Sequence, residues 1–333
     1  MRIERFDPAA DDEQALACYR LYVDSQPADD PDGPTTSERV FIGTLRHGWG
    51  DGRREMTLAR DTDGICGGYL LELPARANRH LAELAVRVAP GQRRHGYGVE
   101  LLRHAARLAR DDGRTVLTGV TRAGGAGDAF AAAMGATCGL TEVRRVLDLD
   151  TVPAGLLAGL RARAEAASAG YSLLGWSGAT PEEHLVQVAQ VSATIHDAPR
   201  SPSEQAERFD AERVRNDERR SAGRGIRRHT VVARCDATGE LAGLTRISVD
   251  SGDPAWGLQR ITVVARAHRG HRLGLLVKVA LLDRLAETEP AVRRIITENA
   301  DTNQHMIAIN DELGFYVLDT MRFWELDPVA ILS

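Results

Sequence analysis

Two stretches of this chain repeat one another. Residues 84–102 read Leu84-Ala-Val86-Arg87-Val88-Ala-Pro90-Gly-Gln92-Arg93-Arg94-His95-Gly96-Tyr97-Gly98-Val-Glu-Leu101-Leu102, and residues 260–278 read Arg260-Ile-Thr-Val263-Val264-Ala-Arg266-Ala-His268-Arg269-Gly270-His271-Arg272-Leu273-Gly274-Leu275-Leu276-Val277-Lys278. Each is an apolar strand, a short basic turn with glycines, and a helix that begins inside the turn. The turns align without gaps at an offset of 176 residues (269 − 93), about half the chain. The repeat predicts two similar domains, and the turn suggests the ligand.

A strand entering a helix through such a turn leaves the first helical N–H groups without partners, at the positive end of the helix dipole. That end is an anion site, which glycines open to close approach and arginines reinforce. The chain has no G-x-x-x-x-G-K-[ST], and no G-x-G-x-x-G followed by an acidic residue about 20 positions on, so it carries neither a P-loop nor the dinucleotide fingerprint.

The run Val86-x-Val88-x-Pro90-x-x-Arg93-Arg94-x-Gly96-Tyr97-Gly98 resembles the acetyl-coenzyme A loop of the GNAT superfamily of N-acetyltransferases, whose pattern is [QR]-x-x-G-x-[GA]. Arg93-x-x-Gly96-x-Gly98 matches it fully, whereas Arg269-x-x-Arg272-x-Gly274 has an arginine for the first glycine. The stretch Thr297-Glu298-Asn299 … Asn303-x-x-Met306-x-x-Ile309-Asn310-x-x-Leu313-Gly314-Phe315 is also family-like. The resemblance implies an α/β fold of two tandem GNAT-like domains, each a mixed, mostly antiparallel sheet flanked by helices. It implies acetyl-CoA as cosubstrate and direct attack by an amine on the thioester. The cofactor residues it implies are Val86, Arg87, Val88, Arg93, Arg94, His95, Gly96, Tyr97 and Gly98 in the first repeat. In the second they are Val264, Arg269, Gly270, His271, Arg272, Leu273, Gly274 and Asn303.

A base on the strand before the loop is a family habit, which points to Glu83; burial beside Leu81 and Leu84 would raise its pKa. The aligned residue of the second repeat is Gln259, so Glu298 is the candidate there, with Asp301 nearby. Neither half has the family's tyrosine in the helix after the fifth strand, where Phe130 and Asn310 lie, which leaves water or Tyr97 to meet the thiolate. An alternative is a CoA-binding sensor or scaffold; transfer of a longer acyl group, or to a peptide amine, is another.

The 333 residues suit two domains, with 1–150 and 171–333 as GNAT-like halves and 151–170 as a helical linker opened by Pro153. The 43% apolar content is ordinary for a globular chain, and a net charge of −5 with a pI near 6.1 argues against a general nucleic-acid binder. The pairs Arg219-Arg220, Arg227-Arg228 and Arg293-Arg294 read as solvated faces or contacts to acidic partners. Four scattered cysteines read as reduced packing residues. His268-x-x-His271 lacks partners for a metal. The absence of an 18-residue apolar run or a signal-like start suggests a cytoplasmic protein without a membrane partner; the resemblance implies a small-molecule amine as acceptor and allows a homodimer. Strands are expected at 2–6, 55–60, 65–73, 80–88, 115–120 and 144–149, with helices at 11–24, 36–46, 97–111 and 126–134. The acidic stretch Ser25–Pro34 reads as a solvated, irregular loop where the family builds its acceptor site. The second half repeats the order, with helices at 181–196 and 203–219.

Overall fold

The computed structural model describes residues 1–332. The first half opens with β1 (Arg2–Phe6), α1 (Asp12–Asp29) and α2 (Glu38–His47), followed by an antiparallel meander of β2 (Arg53–Asp61), β3 (Gly64–Leu73) and β4 (Leu81–Val88). Then come α3 (Tyr97–Asp111), β5 (Val116–Arg122), α4 (Ala126–Ala133) and β6 (Thr137–Asp148). The α3 crossover makes β4 and β5 parallel. Local signals fix the helix starts: the Asp11 carboxylate accepts from Gln14 N at 3.0 Å, and the Ser37 hydroxyl from Val40 N at 3.3 Å.

The second half runs α5 (Leu156–Ala167), β7 (Tyr171–Ser177), α6 (Leu185–Ser192), α7 (Ala211–Gly223), β8 (Ile226–Cys235), β9 (Leu241–Asp250) and β10 (Trp256–Val264). It closes with α8 (Leu273–Thr288), β11 (Arg294–Ala300), α9 (Gln304–Leu313) and β12 (Tyr316–Leu326). The strand–helix order expected from the repeat is present in both halves.

The chain forms two compact units: Met1–Glu142 with Arg200–Ala206 and Asp319–Ser333, and Val143–Pro199 with Glu207–Leu318. Strand order in the first is β1-β2-β3-β4-β5-β12, and in the second β6-β11-β10-β9-β8-β7. The sequence repeat cuts the chain at 150, but compactness does not: β12 closes the first unit, pairing Met321–Leu326 with Arg122–Leu117. The segment 151–170, expected as a helical linker, carries α5. Leu160 and Ala164 of α5 are buried in the core of the second unit against α8. This explains why every α8 residue from Leu273 to Leu282 is buried, whereas α3 keeps an exposed face.

Two further expectations are corrected. The stretch Ser25–Pro34 is helical as far as Asp29, with Pro27 inside α1, because buried Leu21, Tyr22 and Ser25 hold that turn and packing overrides propensity. Residues 203–210 are not helical; α7 starts at Ala211, capped by Asp210 accepting from Arg213 N at 2.8 Å. The preceding strap belongs to the first unit: Gln205 N donates to Asn78 Oδ1 at 2.7 Å, and Ser203 Oγ to Glu325 Oε1 at 2.6 Å.

Candidate acyl-transfer site

The two basic turns have the same backbone. Each begins with a short 3₁₀ turn, Pro90–Gln92 or Arg266–His268, and then an extended arginine, Arg93 (φ −70°, ψ 156°) or Arg269 (φ −72°, ψ 157°). Two left-handed positions follow in each. They are Arg94 (φ 69°) and Gly96 (φ 85°) in the first turn, Gly270 (φ 91°) and Arg272 (φ 52°) in the second. The repeats thus exchange which left-handed position carries the glycine. Arg272 has not distorted its loop, contrary to what loss of a glycine suggests. It bears the mild strain of a non-glycine there, as Arg94 does in the first.

The amides of residues 94–98 and 270–274 donate to no backbone carbonyl and cluster at the starts of α3 and α8. A Cβ at Gly96 would meet nothing within 4 Å, so space above the first loop is open. The second glycine has another task. A Cβ on Gly98 would lie 3.3 Å from Phe130 Cε2, and one on Gly274 3.1 Å from Ile309 Cδ1. Gly98 and Gly274 let the loop helix pack on α4 and α9 respectively. Gly98→Val is therefore expected to lower unfolding stability by about 1–3 kcal/mol through overpacking. Gly96→Ala should cost about 1 kcal/mol through backbone strain alone; urea-denaturation midpoints test both.

The first arginine of each motif braces the loop. Arg93 Nε donates to Val88 O at 3.3 Å and Arg93 Nη2 to both Asp29 oxygens at 2.8 and 3.0 Å. In the second loop Arg269 Nε donates to Val264 O at 3.2 Å and Arg269 Nη2 to Asp197 at 2.5 Å. Arg266 joins Asp197, and these arginines, Arg266 first, hold its carboxyl well below the usual range. Asp29 is thus a loop anchor, not part of a solvated run. Arg94 and His95 are exposed at the first loop, as Gly270, His271 and Arg272 are at the second. Arg272 is drawn to Glu312, at 2.6 Å from both oxygens, and His271 O accepts from Ser168 Oγ at 2.8 Å. His268 bonds the Tyr171 hydroxyl at 3.0 Å.

The strand ahead of each loop is open on one side. β4 pairs with β5 only through Leu81–Glu83 opposite Val116–Thr118, leaving Leu84–Val88 unpaired on that side. β10 pairs with β11 only through Trp256–Gln259, leaving Ile261–Val264 likewise. Val86 and Val88 turn their side chains to the α3 core, whereas the Arg87 guanidinium lies 4.9 Å from the Tyr22 ring centroid on the α1 side. Arg87 therefore offers the open groove its backbone.

Glu83 is the last paired residue of β4. It stands opposite Glu72 on β3 and Thr118 on β5, and Thr118 stands opposite Glu325 on β12. Directly opposed residues share a face, so three carboxylates line the α1/α2 side of the first unit. Glu72 is buried and accepts from Trp49 N at 3.3 Å. Glu83 is exposed, not buried beside Leu81 and Leu84 as expected. Ala85 and Val120, on the same face, are also exposed, which leaves this patch of sheet open. Sequence reading missed Glu72 and Glu325, which strand register alone brings into line with Glu83.

The second repeat does not reproduce this. A bulge between Gln259 and Ile261 shifts the β9–β10 register by one. Leu258, not Gln259, then takes the place of Glu83, opposite Ser248. Gln259 faces the α8 side, buried, donating to Thr245 Oγ1 at 3.0 Å. Glu298 is exposed, with Arg260 Nη1 4.0 Å away. Asn303 caps α9, accepting from Met306 N at 3.3 Å. Tyr97 donates its hydroxyl to Asp61 at 2.7 Å, and that bond pushes its pKa up to about 12, so it is a poor proton donor to a thiolate.

The four cysteines are free, with Cys66 buried and Cys138 exposed. Among the described residues no helix is long and apolar enough to cross a membrane, and no His/Cys/Asp/Glu group could hold a metal ion.

Split strands, an amide-lined turn and a crossover helix, twice over, define an acyltransferase scaffold. The Acetyltransferase (GNAT) family profile matches residues 15–135. A tandem GNAT protein from the clavulanic acid biosynthesis pathway is 33% identical in sequence, with TM-score 0.81 and 98% of each chain covered. A GCN5-related N-acetyltransferase from Sphaerobacter thermophilus shares the fold at 14% identity and TM-score 0.65, over 98% of this chain and 95% of that one. No curated protein sequence matches. The chain belongs to the GNAT family as a tandem N-acetyltransferase.

Proposed function

We propose that the protein is an acetyl-CoA-dependent N-acetyltransferase acting on a small-molecule amine, with its working site in the first unit. The observation that carries this reading is the conjunction there of an open anion turn, a strand split beyond Glu83, and Glu83 exposed at the split. The second unit keeps the turn but places Leu258 where Glu83 stands.

The bound thioester supplies an activated acetyl carbon and a thiolate leaving group. The amides of residues 94–98 hold the pyrophosphate, and unpaired backbone of Leu84–Val88 orients the pantetheine and polarises the carbonyl. Glu83 takes a proton from the ammonium of the acceptor, directly or through water, so that the amine can form the C–N bond as the C–S bond breaks. Glu72 and Glu325 add negative charge to that face and favour a cationic acceptor.

Calorimetric titration with CoA and thiol release from acetyl-CoA over an amine panel test this reading. Gly96→Trp fills the open space above the first loop and should weaken CoA binding at that unit about tenfold or more, abolishing turnover. Arg272→Trp, at the matching left-handed position, should leave turnover in place. Loss of turnover only with Arg272→Trp would move the working site to the second unit.

A further inference from the structure

The second unit ends on an open strand edge. β7 is outermost in its sheet and bonded only to β8. At its two ends Gly170 O accepts from Asp236 N at 2.9 Å, and Gly178 N donates to Arg228 O at 2.7 Å. Both bonds fit the register that sets Tyr171 opposite Cys235 and Ser177 opposite His229. Facing residues of an antiparallel pair are bonded and non-bonded by turns, so Ser172, Leu174 and Trp176 aim their amides and carbonyls at β8. Leu173, Gly175 and Ser177 aim theirs off the sheet, where they meet no partner among the described residues. Gly175 and Ser177 are exposed. Tyr171 N is already taken by Ser168 O at 3.1 Å, which ends the outward ladder at Leu173.

Strand edges are normally guarded against pairing. β1, the outer strand of the first unit, is guarded by Arg2, Glu4 and Arg5, with ion pairs Arg2–Glu4 and Arg5–Glu55. β7 reads Tyr-Ser-Leu-Leu-Gly-Trp-Ser and has neither a charge nor a proline. Its centre is a glycine that the monomer does not require. A Cβ on Gly175 would meet Val231 Cγ2 at 3.4 Å and Arg284 Cδ at 3.6 Å, and Gly175 is not left-handed. Glycine inside a strand weakens it, and one use of it is the close approach of another backbone. On neighbouring β8 the pair Arg227-Arg228 is not a solvated face. Arg227 clamps Glu289 at 2.6 and 2.7 Å, and buried Arg228 bonds Asp217 at 2.9 Å.

We propose that β7 is a self-association edge, which pairs antiparallel with β7 of a second copy of this chain about a two-fold axis at Gly175. The bonding pattern sets the register. With Gly175 opposite the partner's Gly175, Leu173 falls opposite the partner's Ser177, and Ser177 opposite the partner's Leu173. All are bonded pairs, so every outward N–H and C=O of these residues finds a partner. No other register matches the three residues among themselves. The occupant is a second copy because the edge is its own complement, uncharged and with the same bonding residues read from either strand. Arg284 does not oppose this. It donates from Nη2 to Ser177 Oγ at 3.2 Å. The partner's Ser177 lies four residues along the paired strand, so the two guanidinium groups stay about 13 Å apart, beyond the roughly 8 Å Debye length of physiological salt. The inference requires neither unit to be catalytic.

Sedimentation velocity of the full chain over a dilution series should show a reversible dimer. Gly175→Pro removes an N–H that β8 does not use, and an edge strand accepts proline. The far-ultraviolet circular dichroism should be kept, while the dimer dissociation constant rises about 10- to 100-fold, the worth of the two central hydrogen bonds. Oxidative cross-linking carries the test should the proline variant misfold, with exposed Cys138 replaced as Cys138→Ser in every chain. Gly175→Cys sets the two Cα atoms about 5.5 Å apart, the usual disulfide spacing, and should give a covalent dimer. Ser177→Cys, about 13 Å from its copy, should not. A parent that stays monomeric throughout leaves the edge to some other extended chain and overturns the proposal. So does a dimer indifferent to Gly175→Pro, or equal cross-linking at both positions.

Discussion

Glu83→Gln should lower acetyl transfer about 10²- to 10⁴-fold, the usual worth of a positioned general base, with CoA affinity unchanged. The split in affinities follows from geometry. The anion turn rests on amides of residues 94–98 and on the Arg93–Asp29 and Arg93–Val88 bonds, none of which involves Glu83. Register places Glu83 where β4 and β5 part, on the open face with Ala85 and Val120. Glutamine keeps size and shape but cannot accept the ammonium proton. The deficit should therefore shrink as pH rises toward the pKa of the acceptor amine, because more amine arrives already deprotonated. Wild-type and variant pH profiles of thiol release, read with CoA calorimetry, check this. A variant as fast as wild type at neutral pH would remove Glu83 from the proton path; a deficit constant with pH would make it a positioning residue.

The repeat was legible because two strand–turn–helix segments at one offset are a local pattern, and local patterns survive in sequence. So were the loop arginines and the strands around them. What stayed hidden depends on distant pairing. Arg93 looks like a phosphate ligand until α1 is seen to carry Asp29 to it. Gln259 aligns with Glu83 in sequence, but the bulge at Arg260 moves it to the other face of the sheet. A one-residue register shift reverses the facing of every residue before it, and no composition signal marks it. The exchange of final strands was equally invisible, since a strand such as 144–149 is legible without declaring its partners.

That difference bears on function. Duplication supplied two anion turns with one backbone geometry, so the loops alone do not separate the units. Strand register and face chemistry do. The first unit sets Glu72, Glu83 and Glu325 on its α1/α2 side, and the second sets Arg228 and Arg246 on its counterpart.

Lys278→Met should abolish a rise of stability with pH in the alkaline range. Lys278 lies in the apolar run Leu275–Leu282, where Leu102 stands in the first repeat, and this lone cation in an otherwise apolar run is the signal by which sequence could have found it. It is 1% exposed. Its Nζ donates to Asn310 Oδ1 at 2.6 Å and lies 5.1 Å from the Phe315 ring centroid, and Asn310 Nδ2 donates on to Asn299 at 2.7 Å. No carboxylate pairs with it among the described residues, and burial pushes its pKa from 10.5 down to about 7. Below about pH 7 both folded and unfolded chains hold the proton, and the fold bears the full cost of a buried charge. Between there and 10.5 the unfolded chain keeps a proton that the folded chain has released, so stability rises, by up to about 1.4 kcal/mol per pH unit from this group. Urea unfolding at pH 6.5, 7.5, 8.5 and 9.5 should show wild type gaining on Lys278→Met by roughly 3 kcal/mol across the upper two units. Taking the difference cancels titrations common to both proteins. Parallel curves would mean that the ammonium stays charged inside α8. The methionine variant also leaves Asn310 Oδ1 without its donor, a cost of about 1–3 kcal/mol at every pH. The slope, not the offset, therefore identifies the buried amine, and Asn310 should still hold α9 to the end of β11 through Asn299.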